Sequence, residues 1–132
     1  MKNPFIDLFA GCGGLSLGLE QAGFQPVYVN ELNTDALNTY LVNRSEYKHL
    51  SLKEFHSKDI RELSGSKKNL EELSKNLKSK FNIKKGDLSL VVGGPPCQGY
   101  SGIGHRRSYK VDKEKIPSNY LYKEMYKVIE HF

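Results

Sequence analysis

Three stretches of this sequence predict a doubly wound α/β fold with a mostly parallel sheet. Phe5-Ile6-Asp7-Leu8-Phe9 is a short apolar run with one acid in it. The glycine turn Ala10-Gly11-Cys12-Gly13-Gly14 follows, then Leu15 to Ala22, which has helical character. Strand, glycine turn and helix in that order form the layout of a nucleotide-binding βα unit. Gln25 to Asn30 reads as a second strand, with Glu31 at its carboxyl end. Leu88 to Val92 reads as a buried strand, stopped by Gly93-Gly94-Pro95-Pro96. Proline fixes φ and has no N–H to give a neighbouring strand, so the sheet ends there. Right-handed βα crossovers then place this last strand beside the first, in the spatial order third, second, first, fourth.

The elements follow in order. The glycines of the first turn let the backbone approach a ligand, and the helix start offers free N–H groups. Cys12 reads as a small filler in that turn. Gly23 is a candidate C-cap for the first helix. In nucleotide-binding folds an acid placed like Glu31 accepts hydrogen bonds from ribose hydroxyls. Asn33 or Thr34 can cap a second helix, running from Ala36 to about Asn43. The stretch from Tyr47 to Ser57 has no clear period. Lys67 to Phe81 carries Leu70, Leu73, Leu77 and Phe81 three and four apart, which predicts an amphipathic surface helix with a solvated lysine face. Gly86-Asp87 leads into the fourth strand. Cys97 follows immediately after Pro96, just beyond a strand's carboxyl end, the edge where open α/β sheets bind ligands. A lone cysteine is more often a buried structural thiol, but the Pro95-Pro96-Cys97-Gln98 frame makes Cys97 a candidate nucleophile. Gly99 to Lys115 is long, glycine-bearing and basic, as functional or disordered loops are. Pro117-Ser118-Asn119 starts a final helix with Leu121, Met125, Val128 and Ile129 expected on one face.

The bulk numbers bound the rest. With 132 residues the chain is one domain by length. Its net charge of +5 hints at a polyanionic partner. The two cysteines, Cys12 and Cys97, form no CxxC or Cys/His cluster, so no zinc or other metal site is expected. Both thiols are expected free, in a reducing intracellular setting. No apolar run is long enough to span a bilayer, no signal peptide is recognisable and no repeat is found.

Gly94-Pro95-Pro96-Cys97-Gln98-Gly99-Tyr100-Ser101 resembles the catalytic motif of the DNA (cytosine-5)-methyltransferases, and Phe9-Ala10-Gly11-Cys12-Gly13-Gly14 resembles their first cofactor motif. Lys58-Asp59-Ile60 is similar to the family's third motif. The similar segments cover most of residues 4–43 and 87–129, and residues 61–86 carry none. The resemblance implies a Rossmann-like, S-adenosylmethionine-dependent methyltransferase fold that is incomplete here. It implies Cys97 as the catalytic nucleophile. It implies that S-adenosylmethionine is bound by Phe9, Ala10, Gly11, Gly13, Gly14, Glu31, Leu32, Asp59, Ile60, Pro96 and Leu121. In that scheme Asp59 accepts from the adenine amino group, Ile60 packs on the ring, and Leu32 stands where the family often has an aromatic. The DNA contacts implied are Gln98, Ser101, His105, Arg106 and Arg107, with the 99–115 loop as a lid over the DNA. The arginine that the family often carries before the last helix is replaced by Ser118.

The implied chemistry explains the choice of a thiol. Cytosine C5 is a poor nucleophile until a thiolate adds at C6, and a cysteine thiolate both attacks well and leaves again. A base in duplex DNA must first be flipped out, which costs a few kcal/mol. Several family features are absent from this chain. They are the glutamate in an Asn-Val context, an arginine-rich motif, a target-recognition region and a returning C-terminal helix. The expectation is therefore the N-terminal portion of a catalytic domain. It would belong to a bacterial, cytoplasmic restriction-modification enzyme acting on DNA, as a fragment or as one chain of a split enzyme with a complementing C-terminal chain. An RNA cytosine-5 methyltransferase, a non-catalytic S-adenosylmethionine-binding fragment and a redox protein using Cys97 stay open as alternatives.

Overall fold

The computed structural model describes residues 1–97 and 117–132. Within them, β1 (Pro4–Leu8), β2 (Gln25–Asn30), β3 (His56–Ser57) and β4 (Leu90–Gly93) form one sheet in the order β3-β2-β1-β4. All three pairings are parallel. Order and direction are those the crossover rule predicts. The β1–β2 register shifts at Pro26, which has no N–H to donate.

Helices α1 (Gly14–Gln21) and α2 (Thr34–Val42) cover one face of the sheet, and α3 (Arg61–Ser64), α4 (Lys67–Phe81) and α5 (Leu121–His131) cover the other. Alternation along β1 sorts the two sides. Ile6 and Leu8 join Leu63, Leu70, Leu73, Leu77 and Val128 in one apolar cluster. Asp7 points the other way, to Ser16 of α1. A second cluster joins Val29 to Leu37 and Tyr40 of α2 and to Leu50. Burying such side chains gives about 1.5–3 kcal/mol each, the main term holding the layers together.

Local signals set the helix ends. Gly23 has φ +89, Gly23 N donates to Glu20 O at 3.0 Å and Phe24 N to Leu19 O at 3.0 Å, so α1 closes in a Schellman turn. Asn33 Oδ1 accepts from Ala36 N at 3.0 Å and caps α2, which begins two residues earlier than the expected Ala36. Ser66 caps α4, whose limits match the apolar spacing. The ambiguous Tyr47–Ser57 stretch folds as two short 3₁₀ turns, Lys48–Ser51 and Lys53–Phe55, followed by the two residues of β3. Leu50 and Phe55 anchor these turns in the core.

Four expectations are corrected. The fourth strand runs Leu90–Gly93 instead of Leu88–Val92, because pairing with β1 starts only at Phe5↔Leu90 and continues to Leu8↔Gly93. Gly93 is required there: a Cβ on it would lie 2.4 Å from Leu8 O. Pro117–Tyr120 is a 3₁₀ turn, and the α-helix starts at Leu121. Ile129 is exposed, since the buried face of α5 runs Leu121, Met125, Val128, Phe132 and Ile129 lies about 100° around from Val128. Cys12 is exposed too, so it fills no packing space in the turn. No helix among the described residues is long and apolar enough to cross a membrane.

Candidate active site

The carboxyl ends of β1, β2 and β3 are tied together by one side chain. Asn30, 1% exposed, receives Phe9 N on its Oδ1 at 3.4 Å. Its Nδ2 donates to Ser57 Oγ at 3.0 Å, Lys58 O at 2.9 Å and Ser57 O at 3.4 Å. Ala10 N also donates to Asn30 O at 3.0 Å. These bonds hold Phe9 at φ +56, a left-handed conformation that costs a bulky residue roughly 1–3 kcal/mol. Strain of this kind persists where surrounding structure over-determines it, typically beside a ligand.

Glu31 grips the next part of the turn. Its Oε2 accepts from Gly11 N at 2.8 Å and its Oε1 from Asn33 N at 2.8 Å. Each carboxylate oxygen keeps a further lone pair for a ligand hydroxyl. A Cβ built on Gly11 or Gly14 meets nothing within 4 Å among the described residues, so on that side both glycines leave room that a ligand could fill.

A cavity of about 650 Å³ opens at this edge of the sheet. Phe9, Glu31, Leu32, Asp59, Ile60, Pro96 and Leu121 line it, together with Asn30, Asn33, Thr34, Lys58, Arg61 and Gly94. Seven of the residues expected to hold a cofactor therefore share one space. Ala10, Gly11, Gly13 and Gly14 are not in its wall; they form the turn that continues from Phe9. Asp59 Oδ1 also accepts from the N–H of Arg61, the first residue of α3, at 2.9 Å. Lys58 Nζ donates to Thr34 Oγ1 at 2.6 Å, bridging β3 to α2 at the rim. Cys97 is exposed and free, one residue after the wall residue Pro96. Gln98, Ser101, His105, Arg106, Arg107 and the 99–115 loop lie outside the described residues.

Beneath the glycine turn, Ser16 Oγ donates to Asp7 Oδ2 at 2.5 Å and lies 2.7 Å from the Tyr40 hydroxyl. Asp7 Oδ1 is buried with no hydrogen-bond partner among the described residues. Burial pushes the Asp7 carboxyl up to about 6, with the Ser16 bond and the Arg44 charge pulling more weakly the other way. A carboxyl whose folded value lies above its unfolded 3.8 binds more protons when folded. Its contribution to stability is therefore full below pH 4 and is lost as pH rises through 6. His49 and His131, held below the usual histidine value by burial, act in the opposite sense, losing stability as pH falls. Comparing Asp7→Asn with wild type at each pH removes their share. The difference in thermal midpoint, variant minus wild type, is expected to grow from pH 4 to pH 7. A constant difference across that range contradicts the assignment.

Sequence reasoning missed Asn30 and Arg44. The signal for Asn30 was present as a polar residue closing the run Val27-Tyr28-Val29. Arg44, 4% exposed, sits after α2 with nothing local to mark it as buried.

A parallel sheet wound on both faces, a glycine turn after its first strand, an acid after its second and a cavity at their carboxyl ends are the layout of the doubly wound α/β class. The family model for C-5 cytosine-specific DNA methylase matches residues 4–132. Type II methyltransferase M.AgeI of Thalassovita gelatinovora is 36% identical over 96% of this chain and 25% of its own length. Type II methyltransferase M1.HphI of Haemophilus parahaemolyticus is 34% identical, over 98% of this chain and 30% of its own. A crystal structure of an E. coli protein described as a DNA modification methyltransferase encoded within a prophage superposes with a TM-score of 0.58 at 30% identity, covering 97% of this chain and 28% of that one. The chain belongs to the C-5 cytosine-specific DNA methylase family. It spans less than a third of the length of these three relatives.

Proposed function

We propose that this chain supplies the cofactor cavity and the nucleophile of a DNA cytosine-5 methyltransferase, and that it acts together with the regions its longer relatives carry beyond the match. The observation that carries this reading is the cavity itself. It joins the strained Phe9, the acid Glu31 and the apolar Leu32, Ile60 and Pro96 at one sheet edge, directly before Cys97.

S-adenosylmethionine fits this donor set. The volume lies in the range of about 300–1,000 Å³ usual for small-molecule sites. Glu31 would accept from the ribose hydroxyls, Asp59 from the adenine amino group, and Leu32 and Ile60 would flank the ring. The open side of Gly11 and Gly14 would admit the amino-acid end. Bound there, S-adenosylmethionine supplies an electrophilic methyl group. The thiolate of Cys97 adds to C6 of a flipped cytosine, forming a C–S bond and moving the electron pair to C5. Methyl transfer to C5 would leave the S–CH3 bonding pair on the donor's sulfur; loss of the C5 proton to a base would then re-form the C5=C6 bond and expel the Cys97 thiolate. The Pro95-Pro96 pair makes the approach to Cys97 stiff, which limits the entropy lost in aligning sulfur with C6. Gln98, Ser101, His105, Arg106 and Arg107 would contact DNA, and their cationic members would neutralise phosphates.

Calorimetry with S-adenosylmethionine tests the cofactor part. Glu31→Ala is expected to weaken binding by roughly 1–3 kcal/mol, since it removes ribose acceptors and frees Gly11 N and Asn33 N together. Equal affinity in wild type and Glu31→Ala would reject the ribose role. No heat with wild type would reject the cofactor site.

A further inference from the structure

The glycine turn is held from below by a buried cation that the cofactor cavity does not include. Arg44 Nε donates to both oxygens of Glu20, at 2.9 and 3.1 Å. Its Nη2 donates to Glu20 Oε2 at 2.9 Å and to Gly13 O at 2.8 Å. The guanidinium stacks 4.1 Å from the centre of the Tyr40 ring, and the Tyr40 hydroxyl reaches Ser16.

Taking both charges out of water is expensive, and apolar residues of similar size usually hold helices together as well or better. The pair therefore needs an explanation other than packing α1 against α2. What an apolar side chain could not do is bind the Gly13 carbonyl. Gly13 stands at φ +91 as the N-cap of α1, which has no side-chain cap and no acid in its first turn. Space is also closed there: a Cβ on Gly13 would lie 2.4 Å from Arg44 Nη1 and 2.7 Å from Tyr40 Cδ2. Glu20 gives the guanidinium a bidentate partner, which fixes the plane of its fork. The second hydrogen of Nη2 is left for Gly13 O. Glu31 pulls the same turn from the other end through Gly11 N.

We infer that Arg44, locked by Glu20, is a positioning residue that sets the Gly11–Gly14 turn for cofactor binding. This rests on the cofactor reading above, and it assigns affinity to a residue outside the cavity wall. Lysine keeps the charge but cannot bind both Glu20 oxygens and Gly13 O in one plane. Glu20→Gln keeps one acceptor and loses the ion pair.

The test uses S-adenosylhomocysteine as a stable probe of the cofactor site, with calorimetry on the 132-residue chain. Circular dichroism and thermal midpoints establish the folded fraction of each variant. Arg44→Lys and Glu20→Gln are each expected to bind about tenfold more weakly per folded molecule, or 1.4 kcal/mol. The double variant should be no weaker than the poorer single, because both act through one carbonyl. Glycine-labelled ¹⁵N spectra without ligand should show Gly13 and Gly14 amides displaced in both variants and Gly86 unmoved. Affinity within twofold of wild type for folded Glu20→Gln and Arg44→Lys overturns the proposal, as does a loss that vanishes once the folded fraction is applied. If Arg44→Lys does not fold, Glu20→Gln decides alone. A wild-type chain that binds no probe sinks the cofactor reading instead, and unmoved Gly13 and Gly14 amides then sink this proposal on separate grounds.

Discussion

Cys97→Ser is expected to abolish both covalent adduct formation and methyl transfer when this chain is combined with the C-terminal region of a relative. The assays are tritiated methyl transfer to duplex DNA and trapping on 5-fluorocytosine oligonucleotides. A serine hydroxyl is almost never ionised near neutral pH, whereas a few per cent of an ordinary cysteine is thiolate and strongly nucleophilic. Losing a nucleophile that acts in concert with its site costs on the order of 10³-fold or more. Cys12→Ser is the internal control. Cys12 is exposed in the glycine turn and outside the cavity wall, so that variant should keep both activities. Without the complementing region the wild-type chain is expected to give neither signal, since acid help at the base is itself typically worth about 10²–10⁴-fold. Activity should therefore appear on complementation. Adduct retained in Cys97→Ser would reject the mechanism.

Asn30→Asp is expected to cost roughly 2–5 kcal/mol of folding stability, measured by urea denaturation with the slope checked for constancy. The substitution keeps size and shape but removes the amide donor. A carboxylate would then face Ser57 O and Lys58 O, two acceptors, from a position 1% exposed. Protonating it would restore one donor, so the loss should shrink at low pH. Three strand ends depend on this one side chain, and so does the left-handed Phe9 in the cavity wall. Cofactor affinity should fall with stability. A loss below 1 kcal/mol at pH 7 would mean that backbone pairing alone holds these strand ends.

The sequence by itself determined what depends on neighbours along the chain. The 3.6-residue spacing of Leu70, Leu73 and Leu77 defined α4 to the residue, and Gly23 marked the close of α1, because both signals act within a few residues. Strand order followed from the handedness of the crossovers, which each βα unit carries in itself. The motifs named the family, and they placed Glu31, Asp59, Ile60 and Pro96 among the site candidates before any distance was known. Tertiary structure alone decided the limits of β4, which come from its register with β1 and from the close approach of Gly93 to Leu8. Only in the folded chain do Arg44 and Gly13, 31 residues apart, meet. The same holds for Asn30 and Lys58, 28 apart, and for Gly11 and Glu31, 20 apart. The Asn30 and Arg44 side chains follow no period and meet these partners only across the fold, so their roles depend on which backbone groups the packed layers leave around them. Phe9, Glu31, Leu32, Asp59, Ile60, Pro96 and Leu121 of the cavity wall were legible in the sequence, whereas Asn30 and the hydrogen bonds that hold the wall in place depend on packing across the sheet.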